Sequence, residues 1–407
     1  MRYKVVHKAR LCLQIESNHH SRATLAATLS IAPALSSEPI RLNTNHEMAS
    51  ITTPMSSLPT QNIMILGASG NIGREIVHAC QAHNTTNPSS PFRITVLTRT
   101  SSYTRTLAQF PSSPNLQVLP IDSYTDTDTL TTILRAHNIQ ALISTIATFN
   151  TKDQQRIIDA SVASGTVRRF FPSEYGVDTS NRELLVKHLP TAFLKQENVE
   201  YLGQVSSGTN GRFTWSAIIV GAFVDWALAL PNVMGFDIQN MSVNVIDGGD
   251  TKYEATNVGQ IARAVIACLA SEQAFNDTAG QYVYVNSFTT TQNEVIALIE
   301  KYTGRSMQRT PIDSLDLSRK AREQMDAMGG LEAYRAYETT AEAPYAPGAV
   351  ESILACIYGG EKLNGINQYS MREPGLWNEK LGLPKENLED TVRGVVEGLG
   401  MLKKQDL

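Results

Sequence analysis

The run Leu66-Gly67-Ala68-Ser69-Gly70-Asn71-Ile72-Gly73-Arg74 constrains this chain more than any other segment. It follows the apolar stretch Asn62–Leu66 and opens directly into a helical pattern. Gly67 permits a tight turn, Gly70 lets the backbone approach a pyrophosphate, and Gly73 allows helix and strand to pack closely. A lone glycine triplet is weak evidence. This one sits between a strand and a helix at the head of an alternating series, the context that makes such a run a dinucleotide cradle. Ala68, Ser69, Asn71 and Ile72 complete the predicted cradle.

The series behind it is regular. Strands are expected at Asn62–Leu66, Arg93–Thr98, Leu116–Leu119, Gln140–Ser144 and Arg169–Phe171. Helices are expected at Asn71–Gln81, Tyr103–Phe110, Asp126–His137 and Asp153–Ala163. Alternation of this kind predicts an α/β fold, a doubly wound parallel-sheet Rossmann domain, over residues 61–215. Beyond it the pattern becomes mixed, with Gly/Pro-rich joins at Asp247–Asp250 and Ala346–Gly348, and residues 216–407 are expected to form a smaller mixed α/β C-terminal substrate domain.

Residues 1–60 differ in character. They hold six Lys and Arg, three Asp and Glu and four of the eight histidines, leaving 29 basic against 36 acidic residues, or −7, for the rest. A disordered or misassigned leader before a start at Met48 is the expectation; a mitochondrial transit peptide is the alternative. The whole chain, at −4, gives no electrostatic reason to bind nucleic acid or an anionic membrane. Its longest apolar stretch, Trp215–Leu230, has 16 residues and is interrupted by Asp225, too short for a bilayer span. Cys12, Cys80, Cys268 and Cys356 show no C-x-x-C spacing and are expected as reduced core thiols of a cytoplasmic protein, with no metal site. Monomer and homodimer both remain open.

The second strand decides which dinucleotide fits. NAD calls for a carboxylate at its end, NADP for a cation. Between Glu75 and Asp122 there is no Asp or Glu, while Arg99 lies just past Thr95–Thr98 and is followed by Thr100. An arginine forks onto phosphate oxygens, so NADP(H) is the expected cofactor. Thr100 and Asp122 are assigned to the same rim, and Thr145, at the end of the fourth strand, to the cofactor crevice. The polar insert Asn84–Pro91 is expected as a surface loop.

A proton donor is harder to place. The Tyr-x-x-x-Lys pair of simple short-chain reductases has one formal match, Tyr358–Lys362, broken by Gly359 and Gly360 and far beyond the sheet. It is set aside because a catalytic pair needs a rigid element. The segment Arg168-Arg169-Phe170-Phe171-Pro172-Ser173-Glu174-Tyr175-Gly176 then becomes informative. Together with the glycine run, Val96–Arg99, Leu142–Thr145 and Asp153-Gln154, it resembles the isoflavone reductase and phenylcoumaran benzylic ether reductase type within the NmrA-like group of atypical short-chain reductases. The resemblance is dense from about 62 to 230, thinner to about 300 and weak after that.

That resemblance implies a lysine as acid–base residue on the helix after the Phe-Pro-Ser-Glu loop. Lys195 stands 23 residues after Pro172, in a helical pattern that opens at Pro190; Lys187, at 15 residues, is the distant competitor. An amine beside an apolar pocket is pushed towards neutrality, where it can exchange a proton with a phenol or carbonyl. The same resemblance assigns Gln154, Pro172 and Ser173 to the cofactor site, with Ser173 and Glu174 shaping the loop beneath the nicotinamide and a turn role and a catalytic one both open for them, whereas Tyr175 replaces a common phenylalanine and is given no proton role. Trp215, Phe223, Trp226, Tyr345 and Trp377 are candidate wall residues, although core packing explains each singly. The expected activity is NADPH-dependent reduction of a small aromatic or conjugated metabolite. The alternative is a non-catalytic regulator that senses NADP(H) and binds a protein partner.

Overall fold

Apolar side chains alternate between two faces along β1 (Asn62–Leu66): Ile63 and Ile65 enter one core cluster, Met64 and Leu66 another. A strand with period two and both faces apolar must be covered on both sides, which is how a parallel sheet buries its centre. The structure, a computed structural model, describes residues 62–124, 126–146, 151–337, 346–371 and 373–403. The expected leader, Cys12 and Tyr345 lie outside the described residues. All described residues belong to one unit, Leu58–Leu407.

The chain alternates β1, α1 (Asn71–Thr86), β2 (Arg93–Arg99), α2 (Tyr103–Gln109), β3 (Leu116–Ile121), α3 (Thr127–Ala136), β4 (Ala141–Ser144), α4 (Thr151–Ser164) and β5 (Arg169–Phe171). There follow α5 (Arg182–His188), α6 (Pro190–Ser207), β6 (Thr214–Ile219), β7 (Ala222–Phe223), α7 (Val224–Leu228), β8 (Phe236–Asp237), β9 (Ser242–Ile246), β10 (Tyr253–Thr256) and α8 (Val258–Ala270). Three further strands, β11 (Gln281–Tyr284), β12 (Phe288–Thr290) and β13 (Gln308–Ile312), complete the sheets. The main sheet has seven parallel strands in the order β11-β6-β5-β4-β1-β2-β3. Its order reverses between β1 and β4, the switch point at which doubly wound sheets open a crevice outside the strand ends.

One face carries α1 and α8, with Ile76, Val77, Ile261 and Val265 on Ile63, Ile65 and Ile143. The other carries α3, α4 and α6, with Leu130, Ile157 and Leu202 on Met64, Leu66 and Leu142. Each such side chain contributes about 1.5–3 kcal/mol on full burial. Asp126 starts α3 as expected, its carboxylate accepting from Thr129 N at 2.9 Å. Cys80, Cys268 and Cys356 are buried and unpaired, and burial pushes each thiol up to about 12.

Most element ends lie within two residues of the sequence reading, and two boundaries differ in kind. Helix α1 runs on to Thr86, so the start of the polar insert is helical: Asn84 closes it by pairing with both Phe92 N (2.7 Å) and Phe92 O (2.8 Å). The main sheet takes β6 and β11 from beyond residue 213, so the division expected at 215 cuts through β6. The remaining strands form two small sheets, β12-β10-β7 and β13-β9-β8, over a separate apolar cluster that includes Phe236, Tyr253 and Ile299. Among the described residues no helix is long and apolar enough to cross a membrane.

Arg169, at the start of β5, is fully buried. Its guanidinium donates to Thr214 Oγ1 (2.9 Å), Ser216 Oγ (2.8 Å), Thr278 Oγ1 (2.9 Å) and Phe275 O, and burial draws its pKa down to about 10. It stitches β5 to β6 and to the turn before β11 with neutral acceptors alone, each bond to a charged group contributing about 1.5–3 kcal/mol. Arg169→Ala should lower stability by about 3 kcal/mol in urea denaturation. A loss below ~0.5 kcal/mol, the level of an ordinary surface change, would show that water replaces the guanidinium freely.

Candidate functional site

The glycine turn is held by backbone rather than by side-chain packing. Thr145, directly after β4, donates through both N (3.0 Å) and Oγ1 (2.7 Å) to Leu66 O at the end of β1. A Cβ on Gly67, whose φ is +79°, would lie 2.7 Å from Thr145 O, and one on Gly73 would lie 2.5 Å from Gly67 O. Both glycines are therefore steric requirements. Gly70 caps α1 with no side-chain bond, and the first turn contains no acid, so the amides there face outward with the positive end of the helix dipole. Ser69, Gly70 and Asn71 are exposed on this rim, whereas Ala68 and Gly73 are buried beneath it and Ile72 packs on the core.

Leu66 pairs in register with Leu97, which brings the end of β2 beside the turn. Arg99 closes that strand, exposed, with no carboxylate in ion-pairing range among the described residues. Asp122 is just past β3, and its Oδ1 accepts from Thr100 Oγ1 at 2.7 Å. The two residues assigned to the rim are thus bonded to each other, and the Arg99 guanidinium has no ion-pair partner among the described residues. The site fits a phosphorylated dinucleotide: a bare helix terminus for the pyrophosphate and an unopposed guanidinium for a further phosphate.

The next two loops are tied together. Ser173 N donates to Gln154 Oε1 (3.0 Å), Ser173 Oγ donates to Ile146 O (2.8 Å), and Glu174 N donates to Pro172 O (2.7 Å). Thr145, Gln154 and Ser173 were read from the sequence as cofactor-lining. Their polar atoms bond to protein here, which makes them braces of the crevice, and Pro172 is buried beneath it.

Lys195 projects from α6 onto this loop. Its Nζ donates to Glu174 O and lies 3.8 Å from where a Cβ on Gly176 would sit. Burial lowers the amine's pKa, with the Glu174 carboxylate acting against the shift. Burial raises that of Glu174, with Lys195 and Thr179 acting against it. Lys187 belongs to α5, but its side chain lies outside the described residues.

Tyr175 turns inward at a φ of +25°, its buried hydroxyl without a partner among the described residues and pushed far up by burial. Tyr358 donates to Met234 O at 3.1 Å and Lys362 pairs with Asp247 and Asp313, so the formal Tyr-x-x-x-Lys match is dismantled by other partners. Of the wall candidates, Trp215 is core against Tyr282, while Phe223 and Trp226 meet edge to face. Sequence reasoning left out the polar group behind Lys195: Tyr284 OH donates to Asp178 Oδ1 and Ser180 Oγ, both at 3.2 Å, and Thr179 donates to Glu174. The alternation of Tyr282 and Tyr284 on one face of β11 was the available signal.

A family model described as the NmrA-like family matches residues 59–347. Oxidoreductase aprR of Aspergillus flavus is 27% identical over 83% of this chain and 100% of its own length. Oxidoreductase poxI of Penicillium oxalicum is 32% identical over 61% of this chain and 72% of its own. Among solved structures, the complex of leucoanthocyanidin reductase from Vitis vinifera with NADPH superposes with a TM-score of 0.60 at 17% identity, covering 82% of this chain and 99% of that one, a likeness of fold.

Gly73→Ala tests the cradle. The new methyl meets backbone at 2.5 Å and cannot be accommodated by a side-chain shift. Overpacking of this kind costs about 1–3 kcal/mol, so a lower melting temperature and weakened dinucleotide binding should be found together by calorimetry. Unchanged binding would show that the turn does not carry the ligand.

Proposed function

The chain belongs to the NmrA-like family, and we propose from that membership and from the site that it is an NADPH-dependent reductase of the isoflavone reductase-like type. Its substrate class is a small aromatic or conjugated metabolite. The observation that carries the reading is the Lys195 amine, half-buried at the carboxyl edge of the sheet and held against the loop that follows β5. Curated relatives bearing the name oxidoreductase, one of them matched along its entire length, support the class of reaction.

When bound, NADPH supplies the hydride. The α1 terminus would hold its pyrophosphate through the amides of Ser69 and Asn71, that of Gly70 being donated to Gly67 O (2.9 Å), and Arg99 would hold the 2′-phosphate. Gln154, Ser173 and Thr145 keep the two loops at fixed separation, as a site requiring sub-ångström placement demands. Lys195, its charged form disfavoured by partial burial, gives a proton to the substrate oxygen as negative charge develops there. A regulator that only senses NADP(H) needs the cradle but not this amine.

The discriminating variant is Lys195→Met. In an NADPH-depletion screen against phenolic and quinone-like metabolites, with products identified by mass, wild-type turnover is expected and the variant should be slower by about 10²–10⁴-fold. NADPH affinity, followed by fluorescence titration, should stay within about twofold in the same variant, because the helix terminus and arginine are untouched. A normal rate in Lys195→Met overturns the assignment of the proton donor; a wild-type protein that oxidises no NADPH across the panel overturns the enzyme reading. Arg99→Gln should lose about tenfold or more in NADPH affinity while NADH affinity holds, as expected for removal of a charge-assisted phosphate contact. Equal losses for both nucleotides would remove Arg99 from the 2′-phosphate.

A further inference from the structure

Glu174 carries a feature that neither the cradle nor the loop geometry requires. It is 1% exposed; Oε2 accepts from Thr179, and Oε1 has no hydrogen-bond partner among the described residues. An open acceptor in the interior costs about 1–3 kcal/mol. A neutral side chain of similar size would avoid the penalty of burying a carboxylate.

The groups around it point to what it does. Lys195 faces it from α6, its Nζ bonded to the backbone carbonyl of the same residue and not to the carboxylate. Tyr282 faces it from β11, and Tyr175 and Asp178 from its own loop; these three contribute no positive charge. Asp178 is occupied by Ser180 N at 2.9 Å and by Tyr284 OH. Gly176 leaves the space beside Nζ clear of side chain. Half-buried Lys195 and buried Glu174 are therefore a pair of opposite sign, fastened through the main-chain carbonyl of Glu174.

We propose that Glu174 is the positioning residue of the Lys195 amine: its carbonyl aims Nζ into the crevice, and its carboxylate, clamped by Thr179, supplies the counter-charge that keeps the amine protonated. This deepens the reading of Lys195 as proton donor and rests on that reading for its functional meaning. The sign follows from the pair. Burial lowers the lysine and raises the glutamate, while each partner opposes the other's shift. Removing the negative charge leaves burial unopposed, so the amine must lose its proton at lower pH.

Trace acetylation with acetic anhydride across pH, read by peptide mass spectrometry on the full chain without nucleotide, measures this directly. Exposed Lys320 serves as the internal reference. In Glu174→Gln the labelling midpoint of Lys195 should fall by about one pH unit or more, the size expected when an opposite charge is lost. That is roughly tenfold more labelling on the flank of the curve. Thr179→Val should move the midpoint the same way by less, because the charged carboxylate loses the hydrogen bond it accepts from Thr179, and it decides the matter if Glu174→Gln does not fold. Midpoints unchanged in both variants, as a permanently protonated Glu174 would give, overturn the proposal. The pH dependence of turnover is read separately: a shifted label with an unshifted rate profile keeps the pair and removes the lysine from the chemistry.

Discussion

The double bond pattern from Thr145 to the Leu66 carbonyl is the constraint from which the remaining site geometry follows. It ties the two strands that flank the reversal of sheet order, and it lies against both glycines whose missing side chains let the turn close. Once that junction is set, the α1 terminus has one direction, and Leu97 in register with Leu66 delivers Arg99 to the same edge. The crevice is thus a product of hydrogen bonding to main chain between neighbouring parallel strands, with one threonine hydroxyl added, which is why loops of varied sequence can be hung from it without losing the cradle.

How much of this was legible follows from the range of the interactions. Strands β1 to β5 were visible because each is a short apolar run bounded by turn residues, a pattern that needs no knowledge of partners. The glycine turn and the arginine at the end of β2 were visible for a related reason, since residue type and local spacing mark them, whereas Lys195 was named through the family resemblance. Arg169 was not, because its acceptors are 45 to 109 residues away and no local pattern marks a buried arginine with neutral partners. Nor were the two-residue strands Ala222–Phe223 and Phe236–Asp237, which exist only through pairing with β10 and β9. The end of α1 was misplaced because Asn84, a common loop residue, is recruited by Phe92 across the turn.

The same contrast runs through the site. Thr145, Gln154 and Ser173 were picked out at the right edge, yet their polar atoms bond to protein and brace the loops. Residue type at a strand end identifies the neighbourhood; only coordinates separate what would touch a ligand from what holds the ligand's walls. Glu174 is the opposite case, a residue of the loop motif whose side chain is buried with one oxygen lacking a partner among the described residues and whose carbonyl accepts from the amine.

The three described thiols have a chemical consequence. Conjugated carbonyl compounds and quinones alkylate proteins through the thiolate form of cysteine, and reactivity follows the fraction of that form at the surface. Cys80, Cys268 and Cys356 are all enclosed, with ionisation displaced to about 12. At neutral pH they present almost no nucleophilic sulfur. Among the described residues, then, an electrophile of that kind meets amines and no ready thiolate.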